Sequence, residues 1–327
     1  MVDQPGGALP KRAIRATLPH QIRLPGDPSV THNVLVVFNP QAGRGRGYKR
    51  AHEVQVALQA ADIAYESVVS EDRGHAIELA QRAALAGWEL IVAAGGDGTV
   101  NEVVNGLMLA EAEGATSRLG VMPIGSGNDF AASLGIALNL RQAAAQMARG
   151  QTRRIDLGQV NGRWFDNNVG LAFEAMIGIE AHRITWLRGQ PLYLLAVFRA
   201  MASYPLPVVD IYKDDGDRLA RQILMISVGN NRRNGGGFLV NPDAVPDDGL
   251  LDLCIVDALP RLQILRLLPK AMKGTHRGEP AVELARSTRL VVESTAPLPL
   301  HADGEILEND ALRVEIIVEP ARLEVVA

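Results

Sequence analysis

The chain has 327 residues, 47% hydrophobic and 21% charged, the balance of an ordinary globular protein long enough for two domains rather than one core. A formal net charge of -4 excludes a general nucleic-acid binder, because no global basic field exists to neutralise phosphates. The single cysteine, Cys254, excludes an internal disulfide and a cysteine-based zinc site, and it fits a reducing cytoplasm.

Residues 1–33 carry Pro5, Pro10, Pro19, Pro25 and Pro28 beside Lys11, Arg12, Arg15 and Arg23, and read as a flexible N-terminal arm. This stretch has no apolar signal region, and no uncharged run in the chain approaches the ~20 residues of a membrane span.

Val34 to Phe38 is an apolar strand followed by Asn39, Pro40, Gln41, Ala42 and Gly43, then Gly45 and Gly47. A helical pattern runs from Tyr48 to about Ala61. Tyr65 to Val69 reads as a strand ending at Ser70, and Gly74 to Ala86 as a helix. Leu90 to Ala94 is a continuous apolar run that suits a parallel strand buried on both faces. It breaks at Gly95, Gly96 and Gly98, whose missing Cβ atoms let another group approach the backbone N–H bonds. Val100, Val103, Val104 and Leu107 then recur at helical spacing, so a helix N-terminus points back at the glycines. Thr99 is the expected N-cap, with Glu102 completing a capping box.

Asp97 stands out within this loop. A carboxylate where an anion would bind is either part of a simple Asp-Gly turn, a partner for a metal, or a group that does chemistry. A further strand, Leu119 to Pro123, leads into Ile124, Gly125, Ser126, Gly127, Asn128, Asp129, Phe130 and Ala131. Strands alternating with helices predict an α/β fold with a mostly parallel sheet, in which ligands bind at the carboxyl ends of the strands. Three of those ends carry glycines, so three loops converge on one ligand. A dinucleotide fingerprint from Gly43, Gly45 and Gly47 with Glu71 fails on spacing, and no GxxxxGK[ST] loop occurs.

From Arg153 onward the pattern turns to β: Arg154 to Val160, Trp164 to Gly170, Val208 to Tyr212, Gln222 to Val228, Leu250 to Val256, Arg289 to Glu293 and Arg313 to Val318. A second, antiparallel domain is expected, with helices around Gly178 to Ala202 and Arg261 to Met272. The boundaries read as 34–152 and 153–327. Asp243 to Asp252 places four carboxylates in ten residues without EF-hand spacing, and Asp303-Gly304-Glu305 is a second acidic turn. Arg232 and Arg233 lie in a glycine-rich loop, GNNRRNGGGF, and face either an anionic group or solvent. Arg261 to Arg277 alternates basic and apolar residues, which suits packing on the β domain or a membrane-surface helix.

Asn39 to Gly43 (NPQAG), Gly95 to Thr99 (GGDGT) and Pro123 to Ala131 (PIGSGNDFA) together resemble, in order and spacing, the nucleotide-site motifs of the diacylglycerol kinase and sphingosine kinase catalytic superfamily. The bacterial YegS-like lipid kinases look closest, and the resemblance runs from about Val34 to the C-terminus. Ser126 stands where the family usually has threonine, and keeps the hydroxyl. The resemblance implies an N-terminal NAD kinase/diacylglycerol kinase-like α/β domain, a β-sandwich after it, and an active site in the cleft between them. It implies ATP held by Asn39 to Gly43, Ser70, Gly95 to Thr99, Asn101, Glu102 and Gly125 to Asp129. It further implies a structural Mg2+ held by Asp248 and the carbonyls of Val245 and Leu250, an oxygen-only set that suits a hard cation. The DGE motif implies Glu305 as proton acceptor beside Asp303, while the sphingosine kinase branch assigns that role to the aspartate matching Asp97.

The expected reaction is ATP-dependent phosphorylation of a lipid hydroxyl, with diacylglycerol or a related lipid alcohol as acceptor. The expected setting is the cytoplasm, in peripheral contact with the inner face of the membrane where the lipid lies. NAD kinase, which shares the GGDG turn, and a non-catalytic nucleotide or lipid sensor are the rival readings.

Overall fold

The computed structural model describes residues 33–327 apart from 185, 188–189, 204, 215 and 236. The N-terminal arm therefore lies outside the described residues, except for residue 33.

The first half alternates strand and helix: β1 (Val34–Phe38), α1 (Ala42–Gly45), α2 (Gly47–Ala60), β2 (Glu66–Val69), α3 (His75–Leu85), β3 (Leu90–Gly95), α4 (Asp97–Ala112) and β4 (Arg118–Pro123). Two helices that the sequence reading left out follow, α5 (Asp129–Ser133) and α6 (Leu140–Ala148). The second of these starts where the Asn139 side chain accepts hydrogen bonds from Arg141 N and Gln142 N. The strands lie in the order β4-β3-β1-β2, all parallel. Every residue of β3 is buried, as its unbroken apolar run requires.

The second half comprises β5 (Thr152–Val160), β6 (Arg163–Phe165), β7 (Asn168–Ala172), α7 (Phe173–Arg183), α8 (Gln190–Ser203), β8 (Val208–Lys213), β9 (Leu219–Gly229), β10 (Leu251–Asp257), α9 (Arg261–Lys273), β11 (Val282–Ser287), β12 (Arg289–Ala302) and β13 (Glu305–Val326). Their mutual pairings are antiparallel. A second core with Phe165, Leu171, Ile226, Leu253, Leu300 and Ile316 lies among these β layers, in a sandwich-like arrangement. A third, with Phe173, Val197, Phe238 and Ile264, lies beneath α7, α8 and α9.

Several expectations are corrected. Trp164 to Gly170 is not one strand; it breaks at Asp166 and Asn167, whose backbone N–H groups are drawn to the Asp303 carboxylate. The helical stretch before Ala202 begins at Phe173 and divides into α7 and α8. β12 and β13 far outrun the short segments read from alternation, because register shifts between Glu293 and His301 interrupt the period-two pattern. β11 was missed because it is only half-buried and lacks a clean apolar face. The α9 stripe, by contrast, packs as the packing reading expects, on the third core through Ile264, Leu265, Leu268 and Met272.

The last strand ties the halves together. Val325 of β13 pairs in parallel with Leu119 of β4. Leu323, Val325 and Val326, with Ile155 and Leu157 of β5, belong to the core of the parallel sheet.

Candidate active site

The carboxyl ends of β1, β3 and β4 place their loops side by side. Asn39 N donates to Ala94 O (3.0 Å), and Ile124 N and Gly125 N donate to Gly95 O (2.9 and 3.1 Å). The approach of the second and third loops requires glycine: a Cβ on Gly125 would stand 2.4 Å from Gly96 Cα. Asn39 organises the first loop, accepting from Gln41 N at 2.8 Å while its Nδ2 donates to Thr99 Oγ1 at 2.8 Å. Pro40 and Ala42 are buried, Gln41 is exposed, and Gly43 takes φ +60°. In the third loop, Asn128 sits at φ 56°, ψ 42° and accepts from Gly125 N (2.9 Å), leaving Ser126 exposed and Gly127 half-buried. Ser70 closes the end of β2, with its N–H on Phe38 O (2.9 Å).

The expected capping box does not form. α4 begins at Asp97, two residues before the predicted cap, and Thr99 points to Asn39. Glu102 instead caps α3: its carboxylate accepts from Gly74 N (2.9 Å) and Ala76 N (3.2 Å), where that helix's N–H groups have no partners of their own.

Asp97 lies in the first turn of α4 and accepts from Phe130 N at 3.1 Å. Burial, then the negative charges of Asp129 and Asp303, push its pKa up to about 6 against the opposing hydrogen bonds from Phe130 and Asn128. Asp129 itself is buried at the start of α5.

One turn along α4, Asn101 joins the two halves of the molecule. Its Nδ2 stands 3.0 Å from Asp166 Oδ1 and 2.6 Å from Asp303 Oδ2. Asp303 also accepts from Asp166 N (2.9 Å), Asn167 N (3.0 Å) and Asn168 N (2.7 Å). It is held there by a two-residue hairpin turn between Ala302 and Glu305, with Asp303 at φ 48° and Gly304 at φ 79°. Burial and the neighbouring Asp303 hold the Asp166 carboxyl well above the ordinary range, so Asp166 is the protonated member of the pair.

Glu305 follows directly and is only 18% exposed at its side chain. Its Oε1 is 3.0 Å from Arg73 Nε and its Oε2 is 3.1 Å from Arg163 Nη2. Both oxygens are thus held by guanidiniums, one from the loop that Glu102 caps and one from β6.

The acidic stretch Asp243 to Asp252 lies elsewhere. Its turn is anchored by buried Asp156, whose Oδ2 accepts from Gly249 N and Oδ1 from Ala321 N, each at 2.7 Å. Asp248 Oδ1 accepts from Leu250 N (3.1 Å), and Oδ2 is 3.7 Å from Arg286. Asp248 is a partly exposed carboxylate on an irregular turn, a donor whose oxygen chemistry suits a hard cation. Among the described residues no group of three or more His, Cys, Asp or Glu side chains is placed to hold a metal. Arg232 and Arg233 are exposed, as the solvated reading of their loop expects, and Arg232 Nε donates to Ala244 O (3.1 Å).

The sequence reading missed Asp166, Asp156, Arg73 and Arg163. Only Asp166 carried a signal, as the first of three polar residues, Asp166-Asn167-Asn168, inside an apolar run.

The description "Diacylglycerol kinase catalytic domain" matches residues 33–160, and "YegS C-terminal NAD kinase beta sandwich-like domain" matches residues 167–327. A diacylglycerol kinase of Mycobacterium tuberculosis is 30% identical over 299 residues, covering 89% of this chain and 94% of the relative. One from Bacillus subtilis is 31% identical over 272 residues, 83% and 88% of the two chains. The solved structure of a diacylglycerol kinase from Bacillus anthracis shares the fold with a TM-score of 0.68 at 23% identity, over 90% of this chain and 96% of that one. With its glycine loops, its GGDG turn and its β-sandwich-like second half, the chain belongs to the diacylglycerol kinase catalytic family and is a lipid kinase.

Proposed function

We propose that the protein transfers the γ-phosphoryl group of ATP to the hydroxyl of a diacylglycerol or related lipid alcohol. The observation that carries this reading is the meeting of the three glycine loops with Asp97, the Asp166–Asp303 pair and Glu305 across Asn101. Phosphoryl transfer asks a protein for positioning, charge neutralisation and a proton acceptor, and each has a residue here.

The loops of Asn39 to Gly43, Gly95 to Thr99 and Gly125 to Asn128 cradle the nucleotide, with Ser70 at their edge. Arg73 and Arg163 supply positive charge beside Glu305. The acceptor hydroxyl oxygen attacks the γ-phosphorus, the bond to the bridging oxygen breaks, ADP leaves, and the hydroxyl proton passes to a carboxylate. Asp97 is the better matched acceptor, since its pKa of about 6 keeps it ionised yet basic near neutrality. Glu305 is the second reading, favoured by the two guanidiniums that mark its place as the site of phosphoryl charge. Magnesium, when bound with ATP, neutralises phosphate charge; at the separate turn it would rest on Asp248, Val245 and Leu250 and stiffen that loop.

Labelled ATP offered with dispersed diacylglycerol, sphingosine, ceramide and soluble NAD tests the reading. Label is expected in phosphatidic acid; label only in NADP overturns it in favour of the NAD kinase alternative, and ATP binding without transfer favours a sensor. The pH profile then tests the assignment: loss of the acidic limb near 6 in the residual activity of Asp97→Asn assigns the base to Asp97, and persistence of that limb in the variant overturns the assignment.

A further inference from the structure

The chain crosses between the core of the parallel sheet and the second core along a ribbon of two antiparallel strands, β5 and β13. Ile155, Leu157, Leu323 and Val325 of the ribbon belong to the first of these cores, and Val160 and Ile316 to the second. The register of the pair shifts between Glu319 and Leu323, with Ala321 at φ 50°. Such a bulge interrupts the hydrogen-bond ladder and bends the strand, so the crossing is where the two halves can turn on each other.

Against this ribbon lies a cavity of about 300 Å³. Glu89 precedes β3 and Arg118 begins β4, so the cavity is at the end of the sheet opposite the glycine loops. Arg118, Arg154 and Arg322 bring positive charge to its wall, and Glu89, Glu111 and Glu324 bring the same amount of negative charge. Leu107 and Met108, in the last turns of α4, supply apolar wall between them.

These charges satisfy one another poorly. The closest contacts are 3.2 Å for Arg322 with Glu111, 3.5 Å for Arg154 with Glu324 and 3.7 Å for Arg118 with Glu89. Arg221, by comparison, grips Asp257 through two nitrogens at 2.9 and 2.7 Å. Within the cavity wall, Arg322 Nε and Glu111 Oε2 are buried without a hydrogen bond, although a buried polar atom ordinarily has one. Arg322 is held in place by Trp164, with its guanidinium carbon 5.5 Å from the ring centroid. A simple anion in the cavity would face the glutamates, and a simple cation the arginines. A zwitterion meets each sign with its opposite, and a short carbon chain between its ends suits Leu107 and Met108.

We propose that this cavity is an effector site for a small soluble zwitterion of the amino-acid kind, and that its occupant fixes the bend of the ribbon. α4 carries Glu111 near one end and Asp97 and Asn101 at the other. A ligand that bridges Glu111 to the ribbon arginines therefore couples the crossing to the helix whose Asn101 reaches Asp303. The site stands apart from the acceptor and holds for any lipid alcohol the enzyme uses.

The test is titration calorimetry of the full chain against the neutral L-amino acids and phosphoethanolamine, with butyrate and butylammonium as single-charge controls. At least one zwitterion should bind, and neither control should match it. Glu111→Gln and Arg118→Gln should each weaken that binding about tenfold, with a ligand-free thermal melt like that of wild type confirming the fold. Backbone hydrogen exchange over residues 319–324 should slow in wild type when the zwitterion is bound. Affinity for ATP should change by about fivefold or more between the two states. No zwitterion bound, a control that binds as well, full binding in both folded variants, exchange at 319–324 that ignores the ligand, or ATP affinity that ignores it would each overturn the proposal. A chain that binds the zwitterion with slowed exchange, yet binds no ATP at all, leaves this site standing and overturns the nucleotide reading instead.

Discussion

Asp166 and Asp303 lie together beneath Asn101 and hold one proton between them. Burial raises both carboxyls, but three backbone amides and Asn101 Nδ2 face the oxygens of Asp303 and oppose the rise there, so the proton favours Asp166, 1% exposed, which donates across the pair. The pair joins the hairpin that precedes Glu305 to the break between β6 and β7.

An amide at 166 can donate where the protonated acid does, whereas an amide at 303 sets an NH2 group against backbone donors. Asp166→Asn should therefore change stability by less than about 1 kcal/mol, and Asp303→Asn should lower it by about 3 kcal/mol. Urea unfolding at pH 7 reads both. The folded Asp166 pKa is raised, so its contribution is fully present at low pH and is lost as pH rises through the folded value. Asp166→Asn should lose less stability than wild type on the alkaline side.

Asp97 carries a penalty with the same sign. Its folded pKa of about 6 lies above the ordinary 3.8, so the ionised form is disfavoured in the fold, and stability declines as pH rises through that interval. Asp97→Asn should gain about 1–3 kcal/mol at pH 8 and nothing below pH 4, while losing phosphoryl transfer. Paired denaturation curves at the two pH values check the difference.

Buried Asp156 holds two loops through one carboxylate, at Gly249 N and Ala321 N. Asp156→Ala leaves both amides without their acceptor and should cost about 2–4 kcal/mol. If the Asp248 turn holds magnesium, the same variant should need more of the ion for half-maximal activity, which a magnesium titration would show.

At Gly125 an added Cβ meets backbone, Gly96 Cα at 2.4 Å, whereas at Gly98 it meets nothing within 4 Å. Gly125→Ala should lower Tm by several degrees and kcat/KM for ATP by about a hundredfold by pushing two nucleotide loops apart, whereas Gly98→Ala should leave Tm near wild type and act only where the nucleotide approaches that backbone. Equal effects from the two substitutions would contradict the proposed convergence of the loops.

Ala172 joins β7 to α7 at φ 66° and ψ -122°, a conformation that suits glycine. Ala172→Gly should raise stability by about 1 kcal/mol, since relief of strain exceeds the loss of one buried methyl. A rise of a few degrees in Tm would register it.

The parallel half was legible in the sequence because its signals are local. An apolar run such as Leu90 to Ala94 can only be buried on both faces, and Gly95-Gly96-Asp97-Gly98 after it can only be a turn with open backbone. The order of the three glycine loops then carried the family resemblance with it. In the β-rich half, short strands such as Val208 to Tyr212 were visible by alternation, but β12 and β13 were truncated where register shifts broke the period.

What the sequence alone determined is therefore the four parallel strands of the first half and the loops whose backbone must approach a ligand. What only the tertiary structure decided is which charges meet. Asn101 reaches Asp303 across 202 residues of chain, Arg73 reaches Glu305 across 232, and Asp156 reaches Ala321 across 165. No propensity or spacing encodes such pairs, because side-chain electrostatics act through space once the two halves pack. The same packing moved Glu102 from the cap predicted for α4 to the one it makes on α3, and it raised Asp97 to a pKa near neutrality by surrounding it with buried charge.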